Sequence, residues 1–322
     1  MKKFICYSIL LFCSAALAWE PSKQIEGLIA WTPGSVNDVT FRALAIEVEK
    51  NTGAKFVVVN RSGASGVVGT EELSKRPADG YSVTVVSVPG IAAMDRISVP
   101  GSGRTYTTDS FVYPLHIASS PFAIVANPKD TVTNAKDFAK VLKTEKVTVA
   151  ASGGARIIYE SIKEKLKFTQ GVAGVVRVDH KGPNDALMDV VSGNIRFAIV
   201  PVSVANPLYR DGKVNIIALS GPPPLHQLSD ISLISDAIPG FDISGMWALM
   251  LPAGTPDDVV QWYTREFSRA LQSDSVKALY HDNLLLVRTD LHSPTTMKNY
   301  VKSSERQWKS LVDNVLDGIN NK

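Results

Sequence analysis

What most constrains the fold of this chain is an alternation. Short runs rich in β-branched residues, IEGLIAW (25–31), FVVVN (56–60) and YSVTVVS (81–87), are separated by stretches with helical periodicity. Phe41, Leu44, Ala45 and Val48 recur at i, i+3, i+4 and i+7, which predicts a helix from about Asp38 to Lys50 ended by Gly53. A second helix runs up to Lys75, and the PADG turn (77–80) leads into the third strand. This β-α-β-α-β order points to α/β architecture.

The alternation starts again near Phe122. FAIVA (122–126), KVTVA (146–150), VVRV (175–178) and IRFAIV (195–200) read as strands, with helices near 134–143, 155–167 and 183–191 between them. VNIIALS (214–220) continues the series and GPPPLHQ (221–227) breaks it. MWALMLPAG (246–254) is again strand-like. TPDDVVQWYTREFSRAL (255–271) reads as a helix with Thr255 as N-cap and Pro256 at its first position, and a last amphipathic helix covers about 294–315. No third strand-rich core follows, so these elements are expected to pack back on the first unit. The expected division is lobe 1 from 19–121 and 240–322, and lobe 2 from 122–239, with crossovers near 120–122 and 236–246. A chain that leaves one lobe and returns to it makes a hinged cleft.

Residues 1–18 are set apart as a signal peptide. Lys2 and Lys3 precede an apolar stretch from Phe4 to Leu17, and Ala16-Leu17-Ala18 supplies the small residues at −3 and −1, so cleavage is expected before Trp19. The stretch is shorter than the ~20 residues that span a bilayer. Phe12 is too bulky for Cys13 to read as a lipidation site. Both cysteines, Cys6 and Cys13, fall in the leader, so the mature chain has no disulfide, thiol nucleophile or thiolate ligand. Removing Lys2 and Lys3 from 34 basic residues leaves 32 against 31 acidic ones, a formal charge of +1. That balance carries no nucleic-acid footprint. The expectation is a periplasmic protein.

Three glycine-bearing corners join a strand to a helix: WTPGSVND (31–38), NRSGASGVVG (60–69) and AASGGAR (150–156). Glycine permits the tight geometry, and the helix N-terminus offers unpaired N–H groups that favour an anion. A nucleotide site does not follow. Residues 63–69 spell G-x-x-G-x-x-G rather than G-x-G-x-x-G, and no phosphate-loop motif occurs. Ser65 and Ser152 each miss the G-x-S-x-G elbow. His116, His180, His226, His281 and His292 have no paired metal spacing, so neither metal nor cofactor is expected.

The longer motifs resemble the extracytoplasmic solute receptors of tripartite tricarboxylate transporters, the TctC or Bug family. WTPGSVNDVTFRALA (31–45) is similar to the family's Pro-Gly loop followed by an Asp and an Arg, here Asp38 and Arg42. VVVNRSGASGVVGTEELSKRPADGYSV (57–83) matches its most characteristic segment, and HKGPNDALMDVVSGNIRFAI (180–199) and IPGFDISGMWALMLPAGTP (238–256) match later blocks in order. The resemblance implies a two-lobed type II periplasmic-binding-protein fold with a hinged cleft. It implies a non-enzymatic receptor that holds a small carboxylate by backbone amides, hydroxyls and waters, and delivers it to the membrane subunits of a transporter. Two alternatives are an orphan receptor presenting its ligand to a sensor protein and a secreted hydrolase using the same cleft.

By position the implied ligand residues are Trp31, Thr32, Gly34, Ser35, Val36, Asn37 and Asp38 from the first loop, and Ser87 at the end of the third strand. The second lobe adds Ser152, Gly153, Gly154, Ala155 and Arg156, with His180 and Lys181. The 60–69 stretch is then mainly architectural. Departures from the family pattern fall on Ser35, usually Gly, on the 153–156 loop, and on His180, usually Tyr. Asp38 beside an anion would repel it, so the role expected of it is an N-cap or a water anchor. Arg156 on a helix N-terminus opposes the dipole, which makes sense with an anion nearby.

Overall fold

The computed structural model describes residues 19–88, 91, 104–152, 154–168, 174–180, 182–223 and 228–306; the leader, Gly153 and Lys181 lie outside them. In the first lobe β1 (Ile25–Ile29) runs parallel between β2 (Phe56–Asn60) and β3 (Ser82–Ser87). α1 (Val36–Thr52) and α2 (Val67–Ser74) are the crossovers. Gly53, at φ 77°, closes α1 by donating its N–H to Glu49, as its position predicts. β4 (Phe111–Val112) and β5 (His116–Ala126) follow.

The second lobe carries α3 (Ala135–Thr144), β6 (Val147–Ala150), α4 (Gly154–Leu166), β7 (Val175–Val178) and α5 (Pro183–Ser192). β8 (Phe197–Pro201), α6 (Val202–Arg210) and β9 (Asn215–Leu219) complete it. The chain then returns through β10 (Ser244–Pro252), α7 (Asp257–Ala270) and α8 (Asp274–Asp282), and residues 294–306 are helical. Strand order is β2-β1-β3-β10-β5-β8-β6-β7, with β4 beside β10 and β9 beside β5. The helix expected over 294–315 is followed to residue 306; the rest lies outside the described residues.

The strands of each lobe are apolar on both faces because both faces are covered. On β5, Ile124 and Ala126 point into a cluster with Phe138, Tyr159 and Phe197, while Ala123 and Val125 join Leu187, Val190 and Val200 on the other side. In the first lobe Ile25, Ile29, Val83 and Leu249 pack on Phe41, Trp262 and Phe267, and Leu28, Val86 and Met250 pack on Leu73, Tyr113 and Met297. The period of two along each strand assigns alternate residues to the two layers.

β5 is where the two lobes meet. Residues up to Pro121 pair with β10, and Phe122 onward pair with β8 and β9. Ser220, 1% exposed, ties the junction: its N–H donates to the Phe122 carbonyl at 2.8 Å and its carbonyl accepts from Ile243 N at 2.9 Å. Its hydroxyl accepts from Phe122 N and donates to the Ile243 carbonyl. A third strand of chain lies alongside, since Ser119 and Leu286 bridge and Ser120 donates to the Leu284 carbonyl.

Two local expectations are corrected. α1 starts at Val36 with Ser35 as its N-cap, because the Ser35 hydroxyl accepts from Asp38 N, so Asp38 is a first-turn residue rather than the cap. α7 starts at Asp257 with Pro256 in the cap position and no side-chain cap; the Thr255 hydroxyl turns back and donates to the Pro252 carbonyl.

Candidate functional site

A cavity of about 660 Å³ opens between the lobes. From the first lobe it is lined by Trp31, Thr32, Gly34, Ser35, Val36 and Asn37 of the corner after β1, by Ser87 at the end of β3, and by Trp247 of β10. From the second it is lined by Ser152, Gly154 and Ala155 of the corner after β6, and by His180 after β7. The parallel strands all end on the same edge, so each strand-to-helix corner delivers a helix N-terminus to the cleft. α1, α2, α4, α5 and α6 each present their first residues or cap there. An N-terminus carries roughly half a positive charge on unpaired N–H groups.

The corner after β2 is part of this wall, which corrects its reading as mainly architectural. Ser62, Gly63, Ala64 and Gly66 line the cavity. Its architectural role also stands: a Cβ on Gly69 would lie 2.7 Å from Ala30 Cα and 2.8 Å from the Arg61 carbonyl oxygen, so only glycine lets α2 seat on the sheet here. Gly182 to Ala186, Phe122, Ile199 to Pro201 and Val204 also line the cavity without having been singled out in the sequence. The signal for the 182–186 corner was the same strand-to-helix rule. For α6 it was hidden, since VSVANPLYR has no glycine at its start and carries Pro207 inside.

Asp38 does not line the cavity. It is 4% exposed, and its carboxylate accepts from Gly34 N at 3.0 Å, Arg42 Nε at 2.9 Å and Asn60 Nδ2 at 3.0 Å. Asn60 Nδ2 also donates to the Trp31 carbonyl at 2.9 Å. Gly34 itself needs its φ of 81° to turn the loop. This network holds the loop from behind. Asn37 is likewise committed inward, donating to Val85 O at 2.7 Å and accepting from Trp247 Nε1 at 3.1 Å, which fixes the indole as a cavity wall.

In the second lobe His180 N donates to Ser152 Oγ at 2.7 Å, which leaves the serine's own proton for another acceptor. The His180 ring pairs through Nε2 with Asp189 at 2.8 Å, and this hydrogen bond is the main cause holding the Asp189 carboxyl below its ordinary value. Arg177 bonds the Ala151 carbonyl and Asp179, tying β6 to β7 beside the corner. Arg156 lies outside the cavity lining. It sits one turn before Glu160, 4.0 Å from that carboxylate, with a side chain 37% exposed. Gly153 and Lys181 lie outside the described residues. Among the described lining residues none is Arg or Lys, and the single carboxylate is Asp185.

Two α/β lobes with helix N-termini facing an interlobe cavity make up the periplasmic-binding-protein fold. MatC from Rhodopseudomonas palustris, solved with bound malate, matches with a TM-score of 0.79 at 21% identity, over 91% of this chain and 100% of that one. An R. palustris protein solved with adipate matches with a TM-score of 0.80 at 23% identity, over 91% and 97%. Among curated proteins, BugT of Bordetella pertussis is 26% identical over 294 residues, 91% of this chain and 89% of its own length. Residues 40–315 match the tripartite tricarboxylate transporter family receptor, TctC. The chain belongs to that family, whose members are periplasmic solute-binding proteins rather than enzymes.

Proposed function

We propose that this protein is an exported receptor that captures a small carboxylate between its lobes and delivers it to the membrane subunits of a tripartite transporter. The observation that carries the reading is the convergence of five helix N-termini on one cavity that no basic side chain lines among the described residues. A carboxylate there is met by oriented N–H groups and by the Thr32, Ser35, Ser62, Ser87 and Ser152 hydroxyls. Malate and adipate in the two fold relatives support the same ligand class. Lobe 1 (19–121 and 240–322) and lobe 2 (122–239) swing about the Pro121/Phe122 junction, and the leader is removed after Ala18.

The test uses two tryptophans in the cavity wall, Trp31 and Trp247, as reporters. Titration with a panel of small carboxylates is expected to change intrinsic fluorescence saturably, and solution scattering at saturation to show a smaller radius of gyration. A folded protein that binds no carboxylate overturns the reading.

A further inference from the structure

The charge census of the cavity is one-sided. The anion-attracting partial charges belong to backbone, and the one formally charged side chain among the described lining residues is Asp185. It is exposed, stands in the first turn of α5, and has no hydrogen-bond or ion-pair partner among the described residues. Of the two basic residues expected at the site from sequence, Arg156 lies outside the lining beside Glu160, and Lys181 lies outside the described residues. A first-turn carboxylate is favoured on any helix. On this helix, however, it stands at the wall of a ligand cavity, where the second carboxylate of a dianion would meet a like charge with no side-chain cation among the described lining residues to offset it.

We infer that the ligand of this receptor carries a positive group as well as a carboxylate, with Asp185 binding an ammonium at one end while helix N-termini hold the carboxylate. The inference rests on the receptor reading above and narrows its ligand from carboxylates in general to amino-carboxylates. A zwitterion answers both features of the cavity, whereas a dicarboxylate answers one and opposes the other. A charge-assisted hydrogen bond between ammonium and carboxylate gives about ten- to a hundredfold in affinity.

Calorimetry decides it with matched pairs: succinate against β-alanine, glutarate against 4-aminobutyrate, adipate against 5-aminopentanoate, with alanine and leucine as α-amino probes. At least one amino acid is expected to bind about tenfold or more tighter than every dicarboxylate. Asp185→Asn is expected to remove that preference while leaving dicarboxylate binding equal or tighter, with thermal melts confirming the fold. Dicarboxylates that bind as tightly as the amino acids, or a preference unchanged in Asp185→Asn, overturn the inference and leave the receptor reading standing. Binding of none of these probes by the folded protein overturns both.

Discussion

The corners after β1 and β6 face each other across the same cavity and do the same geometric job, yet they are held by different chemistry. The first is clamped by a buried carboxylate: Asp38 takes bonds from a loop amide, from its own helix and from β2. The second is held by a backbone bond to the Ser152 hydroxyl and by the His180–Asp189 pair, whose carboxylate is the more exposed of the two. A buried carboxylate with three donors makes a stiff frame, while a hydroxyl and an ion pair whose carboxylate is 39% exposed make a softer one. The difference teaches that the acidic residue nearest the cleft in sequence serves the loop rather than the ligand.

The largest effect expected from breaking this asymmetry is on stability. Asp38→Ala leaves Gly34 N, Arg42 and Asn60 without their shared acceptor, and hydrogen bonds to a charged group are individually strong. Arg42 is partly exposed and recovers water, so the expected loss is about 2–3 kcal/mol in urea unfolding. Asp38→Asn, which keeps an acceptor, costs less. Equal stability of Asp38→Ala and the parent protein would dissolve the contrast between the corners.

A second effect separates the lobes by pH. His116, on the first-lobe end of β5, is fully buried, accepts from Arg288 N through Nδ1 at 3.1 Å and contacts Ser119 Oγ through Nε2 at 2.8 Å. Burial, reinforced by His292 and Arg288, lowers its pKa to about 3. The folded state therefore binds this proton less readily than the unfolded chain. The contribution is fully present above the unfolded value near 6.5 and is lost as pH falls from there towards 3. About 1.6 kcal/mol should disappear between pH 6.5 and 5. Urea midpoints measured across that range in the parent protein and in His116→Asn check it, the variant being less stable at neutral pH but showing a flatter decline. A variant that declines as steeply as the parent would move the acid sensitivity elsewhere.

The fold was legible from the sequence because alternation of β-branched runs with helical periodicity follows directly from burial on both faces of a sheet. The same pattern placed a break before Phe122 and a return at Met246, and in the structure β5 changes strand partners at Pro121/Phe122 while β10 runs from Ser244 to Pro252. α6 and α8 were not read, one because Pro207 interrupts its pattern and the other because Asp274–Asp282 follows α7 closely in a short polar-flanked stretch. The site was legible as corners and less so as side chains. Glycine marks a corner locally, whereas the direction of Asp38 depends on Asn60, 22 residues away on another strand. Asp185 was passed over for a related reason: PND after a glycine reads fully as a helix start, and only the assembled cleft puts that first turn beside the other four.

The smallest effect tests the softer corner. Its sequence made Arg156 the strongest candidate for an anion contact, since a cation on a helix N-terminus opposes the dipole. The structure leaves Arg156 out of the cavity lining, with Glu160 at 4.0 Å, the side chain 37% exposed and its Nε buried without a hydrogen-bond partner. An ion pair at 4.0 Å, the limit of contact, contributes little, ~0.5 kcal/mol or less. Its removal also relieves an unfavourable interaction with the α4 N-terminus. Arg156→Ala is therefore expected to melt within a degree or two of the parent and to bind the same carboxylates within about threefold. A loss of tenfold or more, in a variant that melts normally, would mean that closure swings the guanidinium into the cleft. The second corner would then recognise charge with a cationic side chain, whereas no cationic side chain of the first lines the cavity among the described residues.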